Sequence, residues 1–269
     1  MEIKHSTHFN PLRKHLSSGK IAIGAGVYFS RTIGIAQLMR TCGYDWLFVD
    51  LEHSALSIET ASELTMASVS AGIPALVRVS AGAYSAATRL LDYGAWGVVL
   101  PHIETADDAR DAVNHLKFPP MGARSAGHSC PQLKFEATHL TDIMETMNEQ
   151  IIIVAMIESA TAVANASEII AVPGIDALLV GASDLSIAMG IPGQRMHPSL
   201  RVACQQVVQA CISRSKWSGI AGIYTEELLR AYIPLGMNII LGGTDLSFLT
   251  ESAKQQAQMI CGIVGEHRP

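Results

Sequence analysis

The sequence predicts an α/β protein built as a (β/α)8 barrel, and three observations carry that prediction. Short apolar runs recur along the chain, at residues 21–28, 46–50, 75–79, 96–100, 152–157, 177–180, 219–223 and 238–241. These runs are continuous rather than alternating, as in parallel strands buried on both faces. Amphipathic stretches separate them, at 58–71, 83–93, 106–116, 160–170, 199–215 and 226–235, and glycine follows several: Gly72, Gly94 and Gly236. Glycine just past a last turn is a helix stop. Strand and helix alternating eight times over about 250 residues is the arithmetic of the barrel. A doubly wound open sheet would need a glycine fingerprint after the first strand, and none is present. No linker, low-complexity tract or long-period repeat interrupts the chain, so residues 1–269 read as one domain.

Composition narrows the function. The chain has 269 residues, 49% hydrophobic and only 16% charged, below the roughly 25% charge of an average soluble chain. Its net charge is −5 and no lysine–arginine run occurs. A nucleic-acid or anionic-membrane partner would need a basic patch, so neither is expected. The densest aliphatic run, 151–157, is far too short to span a bilayer. The polar beginning, MEIKHSTHFNPLRKHLSSGK, has no apolar signal core. Cys42, Cys130, Cys204, Cys211 and Cys261 form no CxxC pair, the pattern of reduced thiols in a cytoplasm.

Residues 118–150 interrupt the alternation with PPMGARSAGHSCPQLKF and then a polar helix. An excursion of that length in a compact barrel is usually functional. Its glycine, serine and arginine residues suit anion contacts; a surface insertion is the competing account.

Catalytic groups in such a barrel stand at the C-terminal ends of strands. The second strand runs into Asp50-Leu51-Glu52-His53-Ser54, the third ends at Arg78, and the fourth leads to Pro101-His102. The fifth ends at Glu158, the sixth at Gly181-Ala182-Ser183-Asp184, and the eighth at Gly242-Gly243-Thr244-Asp245. A buried charge needs a partner or a ligand. Glu158 and Asp184 end adjacent strands, and two converging carboxylates suit a hard divalent cation that keeps water or substrate oxygens. The competing account makes both of them helix N-caps. Arg78 can hold a carboxylate or a developing oxyanion, or close an internal salt bridge. His53 suits a general acid/base, or is an ordinary loop histidine. His102 and His128 lack paired ligand spacing, and Cys130 lacks an adjacent base. No strand ends in lysine, which argues against Schiff-base chemistry.

These residues fall into an ordered pattern: Gly43-Tyr44-Asp45-Trp46-Leu47-Phe48-Val49-Asp50-Leu51-Glu52-His53, Val77-Arg78, Leu91-Asp92-Tyr93-Gly94-Ala95, Pro119-Pro120-Met121-Gly122-Ala123-Arg124, Ile157-Glu158-Ser159, Gly174-Ile175-Asp176-Ala177 and Gly181-Ala182-Ser183-Asp184-Leu185-Ser186. In them the chain resembles the HpcH/HpaI aldolase family, the metal-dependent class II pyruvate aldolases, from about residue 21 to about 249. The resemblance implies that Glu158 and Asp184 bind Mg2+, Mn2+ or Co2+, which pyruvate chelates. It implies that Arg78 stabilises the enolate oxygen. His53 would act in proton transfer with Asp92 of a neighbouring subunit, and Ser183 would help hold the pyruvate carboxylate. Gly181, Arg124 in the loop at 122–127, and position 156 would border the substrate. The implied fold is a barrel of the phosphoenolpyruvate/pyruvate-domain type whose last helix is exchanged with a partner, commonly in hexamers. The implied reaction cleaves a 4-hydroxy-2-oxo acid to pyruvate and an aldehyde.

The chain departs from the family pattern at defined places. Leu51 stands where glycine is usual, Val79 where proline follows the arginine, and Ala182-Ser183 where Pro-Ala is familiar. Met156 replaces a glutamine that touches pyruvate, and a thioether cannot supply that amide's hydrogen bonds. Decarboxylation of oxaloacetate, or another enolpyruvate C–C bond-forming reaction, would use the same electron sink. A non-catalytic binding or assembly protein on a degenerate barrel is the reading from another class.

Overall fold

The computed structural model describes residues 9–127, 130–136 and 139–266. Eight parallel strands close into a barrel in chain order: β1 (Ala22–Val27), β2 (Trp46–Asp50), β3 (Ala75–Arg78), β4 (Gly97–Leu100), β5 (Ile152–Ile157), β6 (Ala177–Gly181), β7 (Trp217–Ala221) and β8 (Ile239–Thr244). The helices are α1 (Pro11–Ser17), α2 (Gly34–Thr41), α3 (Ile58–Ala71), α4 (Tyr84–Asp92), α5 (Ala106–Leu116), α6 (Leu140–Gln150), α7 (Ala160–Ala164), α8 (Ala166–Ala171), α9 (Ala182–Ala188), α10 (Pro198–Ile212), α11 (Glu226–Tyr232) and α12 (Asp245–Glu266).

Side chains alternate across a strand, and that alternation divides the apolar residues into two cores. One set packs between barrel and helices, with Val49, Val77, Val98, Ile153 and Leu178 among its members. The other fills the barrel: Trp46 and Phe48 from β2, Leu76 from β3, Val99 from β4, Ile152, Val154 and Met156 from β5, Leu179 from β6, and Ile239 and Leu241 from β8. Gly24 makes room for the largest of them, since a Cβ there would come within 2.3 Å of the Trp46 ring. Leu12 and Leu16 of α1 join the inner cluster and stopper the floor of the barrel. Asn10 anchors that stopper. Its side-chain amide donates to the Trp96 and Gln150 carbonyls at 3.1 and 2.9 Å, while its oxygen caps α1.

Several boundaries differ from the sequence expectation. The stretch at 160–170 breaks into α7 and α8 at Asn165, whose side chain turns away to donate to the Glu104 carbonyl at 2.8 Å. The seventh strand lies earlier than 219–223, because the chain leaves the ladder at Gly222 with φ +86°. The eighth continues through Gly242 and Gly243 to Thr244, with an irregularity against β1. The stop glycines behave as expected: Gly72, Gly94 and Gly236 all have positive φ.

The excursion after β4 packs back onto the helical layer. Gln132 is buried and donates to the Leu91 and Ala95 carbonyls at 2.8 Å each, tying it to the end of α4. Asn148 of α6 clasps Phe118 through a reciprocal pair of hydrogen bonds. His128 lies outside the described residues. Among the described residues, no helix is long and apolar enough to cross a membrane, and all five cysteines are free.

Candidate active site

The inward rows of the barrel change character toward the C-terminal ends of the strands. On β2 the row reads Trp46, Phe48, Asp50; on β3, Leu76, Arg78; and from β5, Ile152, Val154, Met156, Glu158. Two-residue periodicity therefore delivers the ionisable residues to one mouth, above an apolar floor. Arg78 there borders a cleft of about 250 Å3, lined also by Tyr28, Phe48, His53, Met156, Gly181, Ser183, Asp184, Gly222, Tyr224 and Leu241, among others. Asp50 and Glu158 are not in that lining, Asp50 pairing with Arg78 and Glu158 abutting Gly181.

Arg78 is the fixed point of this cleft. Asp50, its register partner on β2, accepts from Nε at 2.9 Å and from Nη2 at 2.7 Å. Nη1 lies 3.1 Å from Glu52 Oε2, and the guanidinium stands over the Phe48 ring at 5.2 Å. Burial favours loss of its proton, but the hydrogen bonds and charge of Asp50 outweigh burial and raise its pKa. Of the roles open to Arg78 the internal ion pair is present, and the buried guanidinium is also among the groups lining the cleft. Met156 Sδ is 3.9 Å from Nη1. The Tyr28 hydroxyl is pushed up by burial and then by the Asp50 carboxylate.

Glu158 is buried at the rim of the same mouth, and its carboxylate accepts the His102 backbone N–H at 3.2 Å. Burial raises its pKa, with the charge of Asp184 adding to the effect and the His102 N–H opposing it. The helix-cap alternative fails for both acids. Ser159 caps α7, while Asp184 lies inside the first turn of α9. Gly181 is needed where it stands, because a Cβ there would meet Glu158 Oε1 at 2.7 Å. Among the described residues, no three His, Cys, Asp or Glu side chains cluster as metal ligands. Two carboxylates remain, and Mg2+-like ions are commonly held by one or two carboxylates with waters and substrate oxygens completing the shell. A nearly buried acid with a like charge beside it fits a cation of that kind.

His53 opens onto solvent, its side chain 60% exposed, with Nε2 3.8 Å from Glu52 Oε2. Asp50 Oδ1 receives the backbone N–H groups of Glu52 and His53 at 2.9 and 3.4 Å, so it also sets the loop that carries the histidine. His102, a minor candidate in the sequence, sits between Glu52 and Glu158 with ring nitrogens 3.7 and 3.9 Å from their carboxylates. Ser183 lines the cleft and accepts a hydrogen bond from Arg195 at 3.0 Å.

Two expected site residues stand elsewhere. Asp92 and Arg124 are not among the residues lining the cleft. They pair with each other at 2.6 Å, and Arg124 is buried over the Phe118 ring at 4.5 Å. Gly127 passes close to the Asp92 carboxylate. Sequence reasoning misses Asp50 as the partner of Arg78, as well as Tyr28, Phe48, Tyr224 and Leu241 in the lining. The two-residue step back from Asp50 or Arg78 is the signal that would find Phe48.

Comparison with known proteins agrees with this geometry. The family profile described as HpcH/HpaI aldolase/citrate lyase matches residues 30–250. A 4-hydroxy-4-methyl-2-oxoglutarate aldolase of Chaetomium globosum is 36% identical over 95% of this chain and 96% of its own. A hydroxypyruvate/pyruvate aldolase of Delftia acidovorans is 33% identical over 91% and 90%. The crystal structure of an HpcH/HpaI aldolase from Desulfitobacterium hafniense superposes with a TM-score of 0.89 at 28% identity, covering 98% of both chains. A chain matched by this profile over most of its length, with that barrel and those groups at its mouth, belongs to the HpcH/HpaI aldolase/citrate lyase family and is a carbon–carbon lyase.

Proposed function

We propose that the protein performs divalent-cation-dependent retro-aldol cleavage of a 4-hydroxy-2-oxo acid to pyruvate and an aldehyde. The observation that carries this reading is the convergence of Asp184, Arg78 and His53 in one cleft at the barrel mouth, with Glu158 beside it against Gly181 and no lysine in the lining among the described residues. The names of the relatives, which specify hydroxy-oxo-acid and pyruvate aldolases, support the substrate class.

Glu158 and Asp184 would hold the cation, which when bound supplies Lewis-acid polarisation of the 2-oxo acid. Arg78, locked by Asp50, presents positive charge to the oxygen on which negative charge develops, without reorganising during the reaction. His53 removes the 4-hydroxyl proton as the C3–C4 bond breaks and its electron pair moves toward the 2-oxo oxygen. The same proton, returned to C3, completes pyruvate and balances the step. The partly exposed Asp92, turned out of its own chain's cleft, is proposed to serve His53 of a neighbouring subunit.

Assembly follows from the same reading. On α12, Leu246, Leu249, Met259, Ile260, Ile263 and Val264 are each about half exposed, an apolar stripe of the kind that marks an interface. A second copy of this chain is proposed to cover it, in a hexamer. Sedimentation should give an assembly that the I260E/I263E double variant disrupts; a fully active monomer would refute it.

Pyruvate release from a panel of 4-hydroxy-2-oxo acids tests the reaction. Chelation should abolish release, and Mg2+, Mn2+ or Co2+ should restore it; full activity after chelation would overturn the cation's role. His53→Ala should remove cleavage while leaving oxaloacetate decarboxylation largely intact. A protein that decarboxylates oxaloacetate but cleaves none of the panel is a decarboxylase.

A further inference from the structure

One cation beside the cleft has no part in the reaction as proposed. Arg195 lies in the loop between α9 and α10 and is partly buried. Its Nη2 donates to Ser183 Oγ at 3.0 Å, and its Nε is buried without a hydrogen-bond partner among the described residues. Its own backbone carbonyl accepts from the Tyr232 hydroxyl, which pins the loop independently of the side chain. On the other side of the serine runs Gly222, so close that a Cβ there would stand 3.0 Å from Ser183 Oγ.

The donor inventory decides what this arrangement does. A guanidinium carries five N–H donors and no acceptor, whereas a hydroxyl can donate one hydrogen bond and accept two. Contact with Arg195 therefore commits a Ser183 lone pair, leaving the O–H proton for another partner. Among the described residues, the Ser183 hydroxyl makes no other hydrogen bond. A committed donor beside a positive charge, at the edge of an open cleft, is suited to an anion. Elsewhere in the cleft, Met156 offers only a thioether, which accepts weakly and donates nothing. Donors for a substrate carboxylate must come from another part of the wall, and Ser183 adjoins Asp184, one of the two proposed cation-holding acids.

We infer that Arg195 is a positioning residue: it fixes the Ser183 hydroxyl as a hydrogen-bond donor to the carboxylate of the bound 2-oxo acid and lends that carboxylate its charge. The inference rests on the aldolase reading and adds a residue to it. A tether of the α9–α10 loop to α9 would be the purely structural use of the same contact.

Calorimetry with two probes separates these roles. Mn2+ alone reports the acidic pair, and pyruvate added to the Mn2+-loaded protein reports the carboxylate site. Arg195→Met should weaken pyruvate binding about tenfold, as expected for a lost charge-assisted hydrogen bond, and leave Mn2+ affinity unchanged. Arg195→Lys, which keeps the charge, should recover part of the loss. Ser183→Ala should lose about as much as Arg195→Met, and the double variant little more than either, because coupled residues are not additive. Unchanged pyruvate affinity in Arg195→Met overturns the inference, as does a parallel loss of Mn2+ and pyruvate binding. A wild-type protein that binds Mn2+ but no pyruvate defeats the aldolase reading itself, a result distinguishable from either.

Discussion

Asp50 and Arg78 face each other in register on β2 and β3 and close a two-pronged ion pair, with Nε–Oδ1 at 2.9 Å and Nη2–Oδ2 at 2.7 Å. Asp50 is wholly buried and also receives the backbone N–H groups that begin the His53 loop. One carboxylate thus aims the arginine and seats the histidine.

Replacing Asp50 by Asn should accordingly harm stability and chemistry together. The amide keeps the shape but leaves the buried Arg78 cation with Glu52 as its remaining carboxylate partner, a loss of up to about 3–5 kcal/mol. Denaturant titration should show that loss, and kcat/KM should fall by at least about a hundredfold. A variant of native stability and activity would show that Glu52 alone can hold Arg78.

Met156 gives a prediction of opposite sign. Its sulfur is 3.9 Å from Arg78 Nη1 and offers the substrate no donor. Met156→Gln supplies an amide at the same place, so KM for the 2-oxo acid should fall about three- to tenfold, the value of one neutral hydrogen bond. Steady-state kinetics on the cleavage reaction would show it; a raised KM would mean that the apolar floor is itself a specificity element.

Lys117 links stability to pH away from the cleft. It is buried at the end of α5, donating to the Asn148 and Ile151 carbonyls at 2.7 and 2.9 Å, and burial brings its pKa down to about 8. Between pH 8 and 10.5 the unfolded chain holds this proton more tightly than the folded one, so the lysine's contribution to stability rises with pH across that window. Below pH 8 the charged form carries its full burial cost, on the order of 3 kcal/mol. Urea titrations from about pH 7 to about 10.5 should show wild type gaining on Lys117→Met by about that amount. A difference that stays flat would refute the assignment.

Much of this molecule is readable from its sequence, and individual residues show why. Arg78 and Glu158 stand out because each ends an apolar run, and a strand buried on both faces has no solvent side on which to leave a charge. Phe48 and Leu241 do not stand out, because an unbroken apolar run hides which of its residues face inward. The Asp50–Arg78 contact depends on strand register, which such runs leave undefined. Arg195 is invisible for a different reason: in the turn-rich stretch MGIPGQRMH an arginine is unexceptional until folding brings it to Ser183. Arg124 is legible as a motif but not in its placement, since its pairing with Asp92 depends on how the excursion folds back.

The plug that Leu12 and Leu16 drive into the barrel floor has a kinetic corollary. A vessel sealed beneath has one door, so whatever lies deepest leaves last. If the proposed cation holds pyruvate beneath the aldehyde, departure would be sequential, aldehyde first. Product inhibition would record that order, with pyruvate competing against the hydroxy acid and the aldehyde acting noncompetitively.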